Sequence, residues 1–112
     1  MDNLLPPEVL EELKREYHKT VPTKIAACTK MIQELHQNVT LDTLKALRML
    51  IHKTAGSAGT YGYQEVSNLC QKWDQKLMTL IELFPACQET TDWLNQLDLF
   101  LTEMNAKFLN HG

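Results

Sequence analysis

Apolar residues recur at three- and four-residue spacing along almost the whole chain, and no stretch alternates strictly for long enough to make a strand. That pattern restricts the fold to an all-α one. Pro6 and Pro7 suit the first turn of a helix, which Val9, Leu10, Leu13 and Tyr17 continue over about 7–19, and around Pro22 the chain kinks or restarts. A second helix, about 22–37, carries Ile25, Cys28, Ile32 and Leu35 on one face until "QNVT" breaks it. Thr40 then caps a third helix, about 41–60, whose inner stripe is Leu44, Leu47, Ile51, Thr54, Ala55 and Ala58. A fourth, about 64–83, buries Val66, Leu69, Cys70, Trp73, Leu77 and Leu80 before Pro85 stops it. The last, about 88–109, presents Trp93, Leu94, Leu97, Leu101, Met104 and Phe108 at close to heptad spacing. Short connections between long amphipathic helices favour antiparallel neighbours. The expected architecture is an antiparallel up-down four-helix bundle with a short extra N-terminal helix, forming a single domain over 1–112.

Composition then removes several classes of function. The formal charge of −3, with acids and bases interspersed, leaves no basic stripe that could track a phosphate backbone, so nucleic acid is not an expected partner. Cys28, Cys70 and Cys87 are odd in number, far apart and without a CxxC pair, which argues against a disulfide framework or thiolate zinc site and for a reducing cytoplasm. The N-terminal residues carry acids where a secretory signal carries bases, and no apolar run approaches the roughly 18 residues of a membrane span. The expectation is a cytoplasmic protein with no membrane partner. "NVT" at 38–40 matches a glycosylation sequon, but without a secretory route the match is read as chance.

The stretch "IHKTAGSAGTYGY", 51–63, holds three of the chain's four glycines directly after a histidine. At about 100° per residue, His52 falls roughly a quarter turn to one side of the stripe centred between Leu47 and Ile51. Lys45, Arg48, Met49, Gly56 and Gly59 share that flank. Glycine in a helix costs on the order of 1 kcal/mol relative to alanine, so Gly56 calls for a reason. The reading adopted is close approach of a macromolecule to the imidazole, with Gly59 extending the clearing. Ala55, Ala58 and Gly62 are assigned to helix packing and the turn, and Ser57 to local capping.

The segment "HKTAGSAGTYG" followed by the amphipathic "EVSNLCQKWDQKL" resembles the signature of histidine-containing phosphotransfer (HPt) domains of two-component phosphorelays. Their pattern is a phosphoaccepting histidine, a glycine four residues on, small residues, and a second glycine ten residues after the histidine. His52, Gly56, Ser57, Ala58 and Gly62 occupy those places, and the resemblance runs over essentially the whole chain. One position departs from it: many members carry a lysine three residues after the histidine, where this chain has Ala55. Positive charge for a phosphoryl group must then come from Lys45, Arg48, Lys53 or Lys72 on the facing helix, with Arg48 or Lys45 expected to contribute more than Lys53.

The resemblance implies that His52 accepts a phosphoryl group from a receiver aspartate and passes it to another, with response-regulator receiver domains and a hybrid sensor histidine kinase as partners. The chain would be a monomeric carrier without kinase activity of its own. It would need no cofactor, and Mg²⁺ would sit in the partner receiver domain. Its supporting and docking residues would be Lys45, Arg48, Met49, Lys53, Gly56, Ser57, Gly59 and Lys72. The chemistry suits the residue type, since a neutral imidazole is available near pH 7 and in-line phosphoryl transfer needs positioning more than acid or base groups. The alternative is a non-phosphorylated adaptor bundle that binds a receiver or kinase.

Other signals weigh less. His18, His36 and His111 are read as solvent-facing or terminal, and none pairs with His52 at ligand spacing on one helix. "GSAGTYG" lacks the GK[ST] ending of a phosphate loop. Cys70, Trp73, Trp93 and Phe108 read as core.

Overall fold

The computed structural model describes residues 5–110, which form five α-helices and no strand. These are α1 (Pro7–His18), α2 (Val21–Gln37), α3 (Leu41–Thr60), α4 (Gln64–Glu82) and α5 (Asp92–Asn110). The last four close a ring in which α2 packs on α3, α3 on α4, α4 on α5 and α5 on α2. The starts follow the residues expected to make them. Pro7 stands in the first turn of α1 and Pro22 in that of α2, where a missing N–H costs nothing. Thr40 Oγ1 accepts from the Thr43 backbone N–H at 3.2 Å, a cap that contributes about 1 kcal/mol.

The buried residues of α3 are Leu44, Leu47, Ile51, Thr54, Ala55 and Ala58, the stripe read from periodicity. Four expectations need correction. On α4, Leu69 and Leu80 are only half-buried, while Ser67 joins the buried face. On α1 only Tyr17 is buried, whereas Val9, Leu10 and Leu13 remain 36–38 % exposed, because α1 lies outside the ring and meets it through Lys14, Tyr17 and His18 in its second half. There Tyr17 stacks on Tyr61 at 4.6 Å and its hydroxyl meets Ser57 Oγ at 2.8 Å. The last helix starts at Asp92 and not near 88. After Pro85 the chain makes a short 3-10 turn, Ala86–Glu89, which buries Cys87 and leaves its carbonyl to accept from Trp93 Nε1 at 3.1 Å. On α5 the buried face runs through Leu97, Phe100 and Met104, so Leu101 is only half-buried and Phe100 takes the core place beside Trp73, ring centres 5.7 Å apart.

The α3–α4 pair brings the histidine helix against its neighbour. Ser67 of α4, 2 % exposed, donates its hydroxyl to the Ala55 carbonyl at 2.8 Å, and Ala55 and Ala58 are buried between the helices. The connection is tight: Gly62 turns the chain at φ +88°, a left-handed conformation in which a side chain is strained. The Tyr63 N–H closes back on the Ala58 carbonyl at 2.8 Å.

Candidate functional site

His52 stands on α3 with its side chain 55 % exposed, next to Ile51, which is 1 % exposed. Arg48 precedes it by one turn and so shares its face. From α4, Asp74 joins them. One carboxylate oxygen, Oδ1, accepts from Arg48 Nε at 2.6 Å, and the other, Oδ2, lies 2.8 Å from His52 Nδ1. The Asp74 side chain is only 16 % exposed and that of Arg48 26 %, so this bridge is better shielded from solvent than the imidazole it holds.

Partial burial pushes the Asp74 carboxyl up, but the hydrogen bonds from His52 and Arg48, with the Arg48 charge, outweigh it and place the group below the ordinary carboxylate range. Asp74 is therefore ionised at neutral pH and can only accept. It follows that Nδ1 carries the proton it shares with Asp74, and the lone pair of a neutral ring lies on Nε2. Nε2 makes no hydrogen bond among the described residues. The arrangement is a nucleophilic nitrogen on an open surface whose tautomer and ring orientation are set from behind.

The other expected residues separate into those around the imidazole and those elsewhere. Lys45, Met49, Lys53 and Gly56 are exposed on α3, with Met49 at 45 %, and Lys45 and Lys53 make no ion pair among the described residues. Arg48 differs from them, because Asp74 already balances its charge. A Cβ on Gly56 would meet nothing within 4 Å, so no packing inside the protein asks for glycine there. Gly59 behaves otherwise. A Cβ there would lie 3.2 Å from Ser67 Oγ, which makes Gly59 part of the α3–α4 contact and not of the clearing. Ser57 faces Tyr17, and its place is the joint between α1 and α3. Lys72 is exposed and lies on the opposite side of buried Trp73 from Asp74, at about 200° from it along α4, so it points away from the imidazole. Ala55 is 6 % exposed in the α3–α4 interface, which makes the place of the expected lysine a packing position.

Asp74 is the site residue that periodicity alone passes over. The signal available was the length of the hairpin: His52 is ten residues before Gly62 (62 − 52) and Asp74 twelve after it (74 − 62), which brings the two level in antiparallel helices. Of the remaining histidines, His18 Nδ1 meets Tyr63 Oη at 2.8 Å and His36 Nε2 meets Asp98 at 2.9 Å, while His111 lies outside the described residues. Among the described residues no group of three or more His, Cys, Asp or Glu side chains could hold a metal ion. No described helix is long and apolar enough to cross a membrane.

A family model described as the Hpt domain matches residues 25–107, a span that runs from within α2 into the final turns of α5 and leaves α1 outside. No curated protein and no solved structure matches the chain.

Proposed function

Since the chain belongs to the Hpt domain family, whose role is histidine phosphotransfer in phosphorelays, we propose that His52 is its phosphoryl carrier. It takes the group from the aspartyl phosphate of one receiver domain and passes it to the aspartate of another. The observation that supports this most is the orientation of the imidazole: Nδ1 is held by ionised Asp74 at 2.8 Å, and Nε2 faces outward from a half-exposed ring. A lone pair so presented meets the geometric demand of in-line attack on phosphorus, where positioning and charge neutralisation supply most of the rate.

The receiver supplies the acyl phosphate and its Mg²⁺, and this chain supplies the nucleophile. Met49 and the bare backbone at Gly56 give a partner a flat approach on either side of the ring. Lys45 and Lys53 are the cations of α3 free to meet the incoming phosphoryl group, and a monomer in the cytoplasm would exchange partners through short-lived contacts. Such a carrier has no kinase activity and needs no resident cofactor.

The test is incubation with a phosphorylated receiver domain. Transfer predicts an acid-labile, alkali-stable phosphoryl group on this chain that is absent from His52→Gln. Complex formation with no phosphoryl group on the wild-type chain would overturn the carrier reading in favour of an adaptor.

A further inference from the structure

The proton that Asp74 holds on Nδ1 of His52 matters again once a phosphoryl group arrives. When the Nε2 lone pair attacks an acyl phosphate, the Nε2–P bond forms, the P–O bond breaks, and its electron pair leaves with the donor carboxylate. The proton on Nδ1 does not move. The ring is now a phosphoimidazolium, and what happens to that proton decides how readily the group departs. With Nδ1 protonated, the ring leaves as neutral imidazole when an acceptor carboxylate attacks phosphorus. Without the proton it would have to leave as imidazolate, a far poorer leaving group.

We propose that Asp74 is a positioning residue that retains the Nδ1 proton of His52 throughout the transfer cycle, so that the phosphorylated ring stays in its reactive, protonated form. The proposal rests on the carrier reading of His52. The geometry carries it: the carboxylate is 2.8 Å from Nδ1, with a side chain only 16 % exposed, where its charge is screened less than at an open surface. Arg48 holds the second oxygen at 2.6 Å and stops the carboxylate from rotating away. The surrounding charges are few. Arg48 on the same helix works against the carboxylate, Lys45 and Lys53 are exposed on α3, and Cys70 behind Asp74 on α4 is a buried thiol pushed up to about 12, hence neutral. Cys28 of α2, also pushed up to about 12, adds no charge either. Each transfer step balances without a general acid or base, in keeping with a site where Asp74 is, among the described residues, the carboxylate bonded to the ring.

The experiment uses the full chain, labelled with ¹⁵N-histidine and phosphorylated by phosphoramidate, whose P–N bond breaks with ammonia as the leaving group. NMR then follows the Nδ1 proton of phosphorylated His52 against pH, beside the rate of transfer to an unphosphorylated receiver. Asp74→Asn keeps the shape and removes the charge. It is expected to lose the Nδ1 proton at a pH lower by one unit or more, about a tenfold fall in proton affinity, and its transfer rate is expected to fall off earlier as pH rises. Asp74→Glu keeps the charge and is expected to lose the proton at a pH closer to wild type than Asp74→Asn does. A merely structural role would disturb the longer glutamate more than the isosteric asparagine. Coincident titrations of Asp74→Asn and wild type, or an Asp74→Glu titration shifted as far down as that of Asp74→Asn, would overturn the proposal while leaving the carrier reading intact. Failure of phosphoramidate to place any group on His52 would overturn both.

Discussion

The hydroxyl of Ser67 stands 3.2 Å from where a methyl group on Gly59 would have to go. That hydroxyl cannot swing aside freely, since it is buried and bonded to the Ala55 carbonyl. One turn earlier, the same methyl on Gly56 would meet nothing within 4 Å. Two glycines three residues apart thus have different reasons to be glycine.

Gly56→Ala is expected to raise stability by up to about 1 kcal/mol, the helix propensity difference, and to slow phosphotransfer by up to about tenfold, or about 1.4 kcal/mol of docking free energy. Gly59→Ala is expected to lose that propensity gain to the Ser67 contact and to melt below Gly56→Ala. Chemical denaturation of both variants checks the first pair of statements, and transfer kinetics the second. Equal stabilities would contradict the assignment of Gly59 to the helix interface.

Asp74 links the site to acid stability. Its carboxyl is lowered in the folded protein, so the carboxylate stabilises the fold above the ordinary value near 4, and this contribution disappears as pH falls through the lowered folded value. Asp74→Asn is expected to flatten that acid limb and to show a smaller loss of stability as pH falls below about 4. Urea midpoints across this range for both proteins provide the comparison.

The thiols of Cys28 and Cys70 are pushed up to about 12 by burial, so almost none is thiolate at pH 8. Iodoacetamide is expected to leave both unmodified in the folded protein and to alkylate both in denaturant. Mass spectrometry of peptides reads this directly, and rapid labelling of either thiol under native conditions would show that the core opens.

Tyr17 fastens α1 to the ring through its stacking on Tyr61 and its hydroxyl bond to Ser57. Removing the hydroxyl in Tyr17→Phe is expected to cost about 1 kcal/mol. Truncation in Tyr17→Ala is expected to cost about 3 kcal/mol, with amides of α1 exchanging faster than those of α3. Hydrogen exchange resolved by residue distinguishes loss of α1 from loss of the whole bundle.

Much of this is legible in the sequence. Periodicity of 3.6 is a local property, so the inner stripe of α3, the Thr40 cap and the flank position of His52 could each be read within a few turns of one helix. The glycine cluster marked the site for the same reason, since missing side chains are visible in the chain itself. Three features could not be read in this way. The choice of Asp74 over Lys72, the contact between Gly59 and Ser67, and the exposure of Val9, Leu10 and Leu13 depend on which helix faces lie against each other. A helix sequence states which side is apolar, but the angle and height at which two such sides meet are set by the packing of the whole ring. The chain alone therefore determined an all-α fold and a histidine beside bare backbone. Only the tertiary structure decided that an ionised carboxylate from the next helix stands behind that histidine and directs its free nitrogen outward.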